Sequence, residues 1–138
     1  MVTGATTFEL DGSTGNGVGG ATGTHYTRGK YAFAADFRDA VLSLDSDGGG
    51  DAAMTIKVVG SIQETPPDFA APKSAGNQWD TVQIIDLEGS VAVDGDTGVI
   101  LAAADVNKMY EVNVNGLMWI SLLIEGGTEG EITGRIRL

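Results

Sequence analysis

The chain has 138 residues, 42% of them hydrophobic, with 21 Gly, one His, no Cys, and 8 basic residues against 19 acidic ones, a formal net charge of −11. A chain of this length can bury a real core but has no room for a second independent domain. Without Cys there is neither a disulfide framework nor a thiolate metal site, and the negative surface repels phosphate backbones and anionic membranes, which excludes nucleic acid and membrane as partners.

Met1 to Leu10 show no basic cluster followed by an apolar run, and no stretch of the chain approaches the length of a membrane span, so a soluble protein without an export leader is expected. The lack of Cys is compatible with assembly in a reducing cytoplasm. Within the opening residues, Thr6-Thr7-Phe8-Glu9-Leu10 alternates β-branched and aromatic side chains and predicts a brief strand in need of a partner sheet. Gly12 to Gly29 is a run of Gly, Ser, Thr and Ala with little side chain to bury. Residues 1–29 are therefore expected to form an extended Gly-rich arm, and residues 30–138 the folded body.

The body reads as short β-type runs separated by turn residues. Tyr31 to Ala35 and Ala40 to Leu44 are candidate strands, and Asp45-Ser46-Asp47-Gly48-Gly49-Gly50-Asp51 is a turn. Met54, Ile56 and Val58 alternate with Thr55, Lys57 and Val59 in the period of a strand that Gly60-Ser61 ends. Gln63 to Gln78 holds Pro66, Pro67 and Pro72 and few periodic apolar residues, so a long surface loop is expected there, of a kind usually functional or ordered by a partner. Trp79 to Leu87 resumes strand character, and Val91 to Val93 and Val99 to Leu101 flank an Asp94-Gly95-Asp96-Thr97-Gly98 turn.

The last third carries the clearest pattern. Leu101 to Lys108 holds at most one helical turn. Tyr110, Val112 and Val114 alternate with polar positions, and Asn115-Gly116 signals a hairpin into a strand from Leu117 to Glu125. In Leu117 to Ile124 nearly every position is apolar, which predicts a strand covered on both faces with Trp119 in the core. After Gly126 to Gly130, Ile132, Gly134, Ile136 and Leu138 alternate with Glu131, Thr133, Arg135 and Arg137, one face core and one face wet. Many short strands, Gly-rich turns and no long helix define an all-β protein, an antiparallel β-sandwich or jelly roll with an extended N-terminal arm.

Catalytic chemistry finds little purchase. Gly15, Gly17 and Gly20 have the spacing of a dinucleotide fingerprint, but no helix-forming sequence follows them. Asp45, Asp47 and Asp51, and separately Asp94 and Asp96, offer hard oxygen donors, yet Ile56 stands where a calcium loop needs its closing Glu, so solvated turns are expected. His25 lies among Gly and Thr with nothing to orient it. Glu64 with Asp68, and Glu129 with Glu131, are acidic pairs in loops or turns, as expected of a solvated surface. No catalytic residue, metal site or cofactor is expected, and the protein is not expected to be an enzyme.

Asn77-Gln78-Trp79-Asp80 sets an aromatic ring among amide and carboxyl groups at a loop boundary, the combination that sugar-binding modules use. The competing expectation, and the favoured one, is that Trp79 folds back to cover the end of the sandwich with its indole N–H satisfied by the loop.

From Ala53 to Leu138 the order of features resembles small phage virion proteins that decorate or cement capsids. The matching segments are Met54-Thr55-Ile56-Lys57-Val58-Val59-Gly60-Ser61, the loop ending in Asn77-Gln78-Trp79-Asp80, Tyr110 to Gly116, and Gly130 to Leu138. The likeness is architectural and transfers no functional residue. It implies a structural protein on the outer surface of a phage capsid, bound to the major capsid protein and assembled as a homo-oligomer, a trimer by preference. The acidic body suits that location better than a DNA-facing lumen. An arm with little to bury is expected to order against a partner, with Phe8, Leu10, Val18 and Tyr26 as its contacts and Trp79 as a further one on the body. The alternative, from a different class, is a carbohydrate-binding or adhesion domain of a tail or cell-surface protein.

Overall fold

The computed structural model describes residues 7–10, 31–46, 54–101, 107–126 and 132–138, and every regular element among them is a strand. In chain order these are β1 (Thr7–Leu10), β2 (Tyr31–Phe33), β3 (Asp39–Ser46), β4 (Met54–Ser61), β5 (Asp80–Val82), β6 (Ile84–Asp86), β7 (Val91–Val93), β8 (Val99–Ile100), β9 (Lys108–Asn113), β10 (Trp119–Gly126) and β11 (Ile132–Arg137). They form two antiparallel sheets, one ordered β1-β11-β3-β9-β6-β7 and the other β2-β10-β4-β5, with β8 also paired to β4.

Without the β6–β7 hairpin and β8, each sheet keeps four strands, β1-β11-β3-β9 in one and β2-β10-β4-β5 in the other. The chain changes sheet at every step between these strands except from β4 to β5. This is the connectivity of a jelly roll, so the expected all-β sandwich or jelly roll is the fold observed, while most of the expected N-terminal arm lies outside the described residues.

Period-two alternation builds the core. Ala40, Leu42 and Leu44 of β3, Tyr110 and Val112 of β9, and Ile136 of β11 point inward and meet Ile56 and Val58 of β4 and Ile120, Leu122 and Ile124 of β10. All of these are buried. Gly134 of β11 is what lets the layers close. A Cβ placed there would come within 2.6 Å of Leu122 Cδ1, so the side chain missing from one sheet is the space that a leucine of the other fills.

Several expected connections are different in the structure. Asn115-Gly116 makes no hairpin, because β9 and β10 lie in different sheets. Gly116 sits at φ 87° while Asn115 keeps a negative φ, and the Leu117 N–H donates to the Val114 carbonyl at 2.9 Å. That is a type II turn, whereas the tight two-residue hairpin turns need positive φ at the first central residue, here Asn115. The turn therefore makes a corner that carries the chain across the sandwich. Likewise Trp79 to Leu87 is not one strand: it breaks at Gln83, with β5 paired to β4 in one sheet and β6 paired to β9 in the other. The Asp94 to Gly98 turn forms, closed by a Gly98 N–H to Asp94 carbonyl bond of 2.9 Å, but the strands on its two sides also belong to different sheets. Strand β3 runs on through Asp45 and Ser46, two residues expected in the following turn. Most of the expected helical turn between Leu101 and Lys108 lies outside the described residues.

Candidate functional site

The outer faces of the two sheets are unlike each other. On β4 and β10, Val59 and Leu123 point away from the main core, yet both are buried, because the loop from Ile62 to Trp79 crosses over them. Phe69 of that loop is buried on top of them, and Trp79 and Trp119 pack against the same cluster. The nearly continuous apolar run of β10 thus faces apolar neighbours on both sides, as its composition predicts. Trp119, however, is half-buried and belongs to this outer cluster instead of the main core. Its parity on the strand is opposite to that of Ile120 and Leu122, so it points outward. There it meets Tyr31 and Phe33 of β2 edge to face, with ring centroids 5.2 and 5.3 Å away, and its Nε1–H donates to the Gln63 carbonyl at 2.9 Å.

The loop holds its shape through Asn77. Its Oδ1 accepts from the Asp68 N–H at 2.8 Å, and its Nδ2 donates to the carbonyls of Asp68 at 2.9 Å and Pro72 at 3.2 Å. The backbones of Ser74 and Asn77 bond to each other in both directions, at 3.1 Å each. The loop is fastened to the sheet by Ser61, whose Oγ donates to the Gln78 carbonyl, and by Gln63, whose Oε1 accepts from the Gln78 N–H at 3.1 Å.

Trp79 is part of this cover. Its Nε1–H donates to the Ala71 carbonyl at 3.1 Å, its ring lies 6.3 Å from that of Phe69, and the Lys73 ammonium sits 5.3 Å from its centroid. Lys73 is held there by an ion pair with Asp80. The Lys73 hydrogen bond, helped by the Thr81 N–H, holds the Asp80 carboxyl below the usual carboxylate range, and the same bond raises Lys73 above the usual lysine range. Trp79 accordingly folds back with its N–H satisfied by the loop, the arrangement favoured from sequence, but it lies over a sheet face. Beside it runs an open groove of about 550 Å³ lined by Gly60, Ile62, Lys73, Gln78 and Leu117 among others.

Of the residues expected to meet a partner, Phe8 and Leu10 lie on β1, where the backbone of Phe8 is opposite Ile136 and that of Leu10 is opposite Gly134. The partner sheet that this strand needs is the chain's own, so residues before Lys30 contribute to the sandwich. Val18 and Tyr26 lie outside the described residues, as do Gly15, Gly17, Gly20, His25, Asp47, Asp51, Glu129 and Glu131. Asp94 Oδ1 accepts from the N–H groups of Asp96 at 3.0 Å and Thr97 at 3.2 Å, and Asp45 pairs with Arg135 at 3.3 Å. These carboxylates serve turns and an ion pair. Among the described residues no group of three or more His, Cys, Asp or Glu is placed to hold a metal ion.

The outer face of the other sheet is where residues escaped notice in the sequence. Val41 of β3, Ile85 of β6, Met109 of β9 and Leu87 just after β6 are 40%, 38%, 49% and 43% exposed. The register joins them: Val41 is opposite Glu111, Glu111 is opposite Ile85, and the Leu87 N–H donates to the Met109 carbonyl at 3.1 Å. Beside this patch lies a hollow of about 480 Å³ lined by Asp39, Val41, Leu87, Glu111 and Arg137, together with Ala40 and Leu138. The signal was present as apolar residues at the outward parity of β3 and β9, positions that strict alternation would make polar.

Fold and faces together define a jelly-roll module with one roofed and one bare outer face. No family model matches the chain, and no curated protein matches it in sequence. Among solved structures, the crystal structure of the SPBc2 prophage-derived protein YomS is similar, with a TM-score of 0.60 over 95% of this chain and 89% of that one at 9% identity. At that identity the likeness is one of fold.

Proposed function

We propose that the chain is a structural protein of a phage virion that decorates and stabilises the outer surface of the capsid by binding the major capsid protein. The observation that carries this proposal is the jelly roll itself, shared across 95% of the chain with a prophage-derived protein. The net charge of −11 supports an outward location, since packed phosphates inside a filled shell repel such a surface.

The test is co-sedimentation with purified shells of the phage that carries the gene. Saturable binding that Val18→Asp with Tyr26→Asp abolishes is expected if the arm is the tether. That pair is preferable to deleting residues 1–29, which would also remove β1 from its sheet. Absence of the chain from intact particles, together with no binding to empty shells, would refute the proposal. The groove beside Trp79 favours carbohydrate binding as a second reading, although Lys73 over the ring and the engaged indole N–H leave less of the aromatic face for a sugar. Glycan binding that Trp79→Ala abolishes would support that alternative.

A further inference from the structure

We infer that Asn115 is a modification site that the corner between β9 and β10 keeps latent: its side-chain amide is lost through attack by the Gly116 nitrogen, and the reaction runs only while the turn is open. The chemistry is independent of what the chain binds. Asn followed by Gly is the dipeptide most open to this attack, because Gly has no side chain to obstruct the approach of the Asn side chain. A bond forms between Gly116 N and Asn115 Cγ, the Cγ–Nδ2 bond breaks, and the Gly116 N–H proton leaves with Nδ2 as ammonia. Water, the only co-reactant, then opens the five-membered imide at either carbonyl and leaves aspartate or isoaspartate at position 115.

Burial does not protect the site. Asn115 and Gly116 are both exposed, and a Cβ on Gly116 would meet nothing within 4 Å. Among the described residues, neither the Asn115 side-chain amide nor the Gly116 N–H has a hydrogen-bond partner. What protects it is a torsion angle. Asn115 is the first central residue of the type II turn, where ψ is about +120°. The Cβ of an L-residue sits a third of a turn from its N around the Cα–C bond. Eclipsing Cβ with the next nitrogen, as the five-membered ring requires, therefore needs ψ of about −120°, the value of the mirror-image turn. The Gly116 nitrogen is held a third of a turn away from the position in which it could react.

Three hydrogen bonds keep it there. The Leu117 N–H donates to the Val114 carbonyl at 2.9 Å, the Val114 N–H to the Arg38 carbonyl at 2.8 Å, and the Asn115 N–H to Asn113 Oδ1 at 3.0 Å. The flanks are anchored too: Val114 is buried, and Leu117 fills the space a side chain on Gly60 would take, where a Cβ would stand 2.7 Å from Leu117 Cδ1. Turning the Asn115–Gly116 peptide to the reactive angle pulls the Leu117 N–H off the Val114 carbonyl, so the reaction and hydrogen exchange at Leu117 share one opening. Isoaspartate then routes the backbone through the former side chain and lengthens it by one carbon, so the corner does not close again in the same register.

The test follows the full chain in mildly alkaline buffer, with and without urea, by peptide mapping and mass spectrometry, and reads Leu117 N–H exchange by NMR in the same native buffer. In urea, Asn115 is expected to react as fast as Asn16, the chain's other Asn that precedes Gly. Without urea, its reaction is expected to be at least about tenfold slower, and the slowing should match the exchange protection of the Leu117 N–H within about threefold. Asn113→Ala leaves the reacting dipeptide intact and removes the bond to the Asn115 N–H. It should speed the native reaction and the Leu117 exchange together, by about fivefold, and leave the rate in urea unchanged. The inference is overturned by equal rates at Asn115 in native buffer and in urea. It is also overturned by a native reaction faster than Leu117 exchange allows, or by an Asn113→Ala variant that changes one of the two and not the other.

Discussion

The two outer faces of this sandwich solve one problem in different ways. Both sheets carry apolar side chains at outward positions, Val59, Leu123 and Trp119 on one and Val41, Ile85 and Met109 on the other. Over the first, the chain lays its own Pro-containing loop, with Phe69 and Trp79 as the apolar contacts and Asn77 as the knot. Over the second, the apolar groups remain exposed beside charged side chains such as Glu111 and Arg137. Burial that a chain completes by itself adds to its folding stability, and burial left for a partner adds to association instead. The comparison therefore predicts that substitutions on the roofed face change unfolding and that those on the bare face leave it nearly unchanged.

The largest effect is expected from Trp119→Ala. It removes two edge-to-face ring contacts, the bond to the Gln63 carbonyl and part of the cover over Leu123. A loss of about 3 kcal/mol in unfolding free energy is expected, read by urea titration followed by circular dichroism. A loss under about 0.5 kcal/mol, the range of ordinary surface positions, would mean that the loop is not part of the cooperative unit.

Asn77→Asp should come next. The carboxylate keeps the acceptor for the Asp68 N–H but gives up the Nδ2 donors and faces the carbonyls of Asp68 and Pro72. A cost of about 1 to 2 kcal/mol is expected, together with faster amide exchange confined to residues 62–79. Met109→Gln, on the bare face, should leave the unfolding of the dilute protein within about 0.5 kcal/mol. If it lowered unfolding stability as much as Asn77→Asp does, the bare face would be covered by the chain itself and the contrast would fail.

The legible part of this architecture is the part that alternation encodes. The positions of β4, β9 and β11 follow from period two, and the doubly apolar Leu117 to Ile124 run announces a strand covered on both sides. The sheet to which each segment belongs is not encoded locally. Asn115-Gly116 specifies a turn, and only the φ of Asn115 separates a hairpin from a corner. Val82 and Ile84 read as one strand because the change of sheet at Gln83 leaves no mark in composition. Trp119 illustrates the same limit, since apolar neighbours in sequence lie on the opposite face of the strand. The bare face was hidden for a related reason. An outward Val41 or Met109 is unremarkable alone and becomes a patch only when the register sets the strands side by side.

The smallest expected effect tests how the roof is pinned at its edge. Lys73 and Asp80 form an exposed ion pair above Trp79, so its contribution is set by solvent screening and should not exceed a few tenths of a kcal/mol. Its pH dependence has a definite sign at each end. The depressed Asp80 pKa gives stability that is present above the unfolded carboxyl value and is lost as pH falls through the folded one. The raised Lys73 pKa gives stability that is present below the unfolded ammonium value and is lost as pH rises through the folded one. The pair therefore contributes across the neutral range and fades at both extremes. Lys73→Met keeps an unbranched apolar stem over the indole and removes the charge, so the difference from wild type should be smaller in strong acid, where only the ammonium–indole contact remains, and largest near neutral pH in low salt. A difference independent of both pH and salt would assign Lys73 to packing against Trp79 alone, with the ion pair as a bystander.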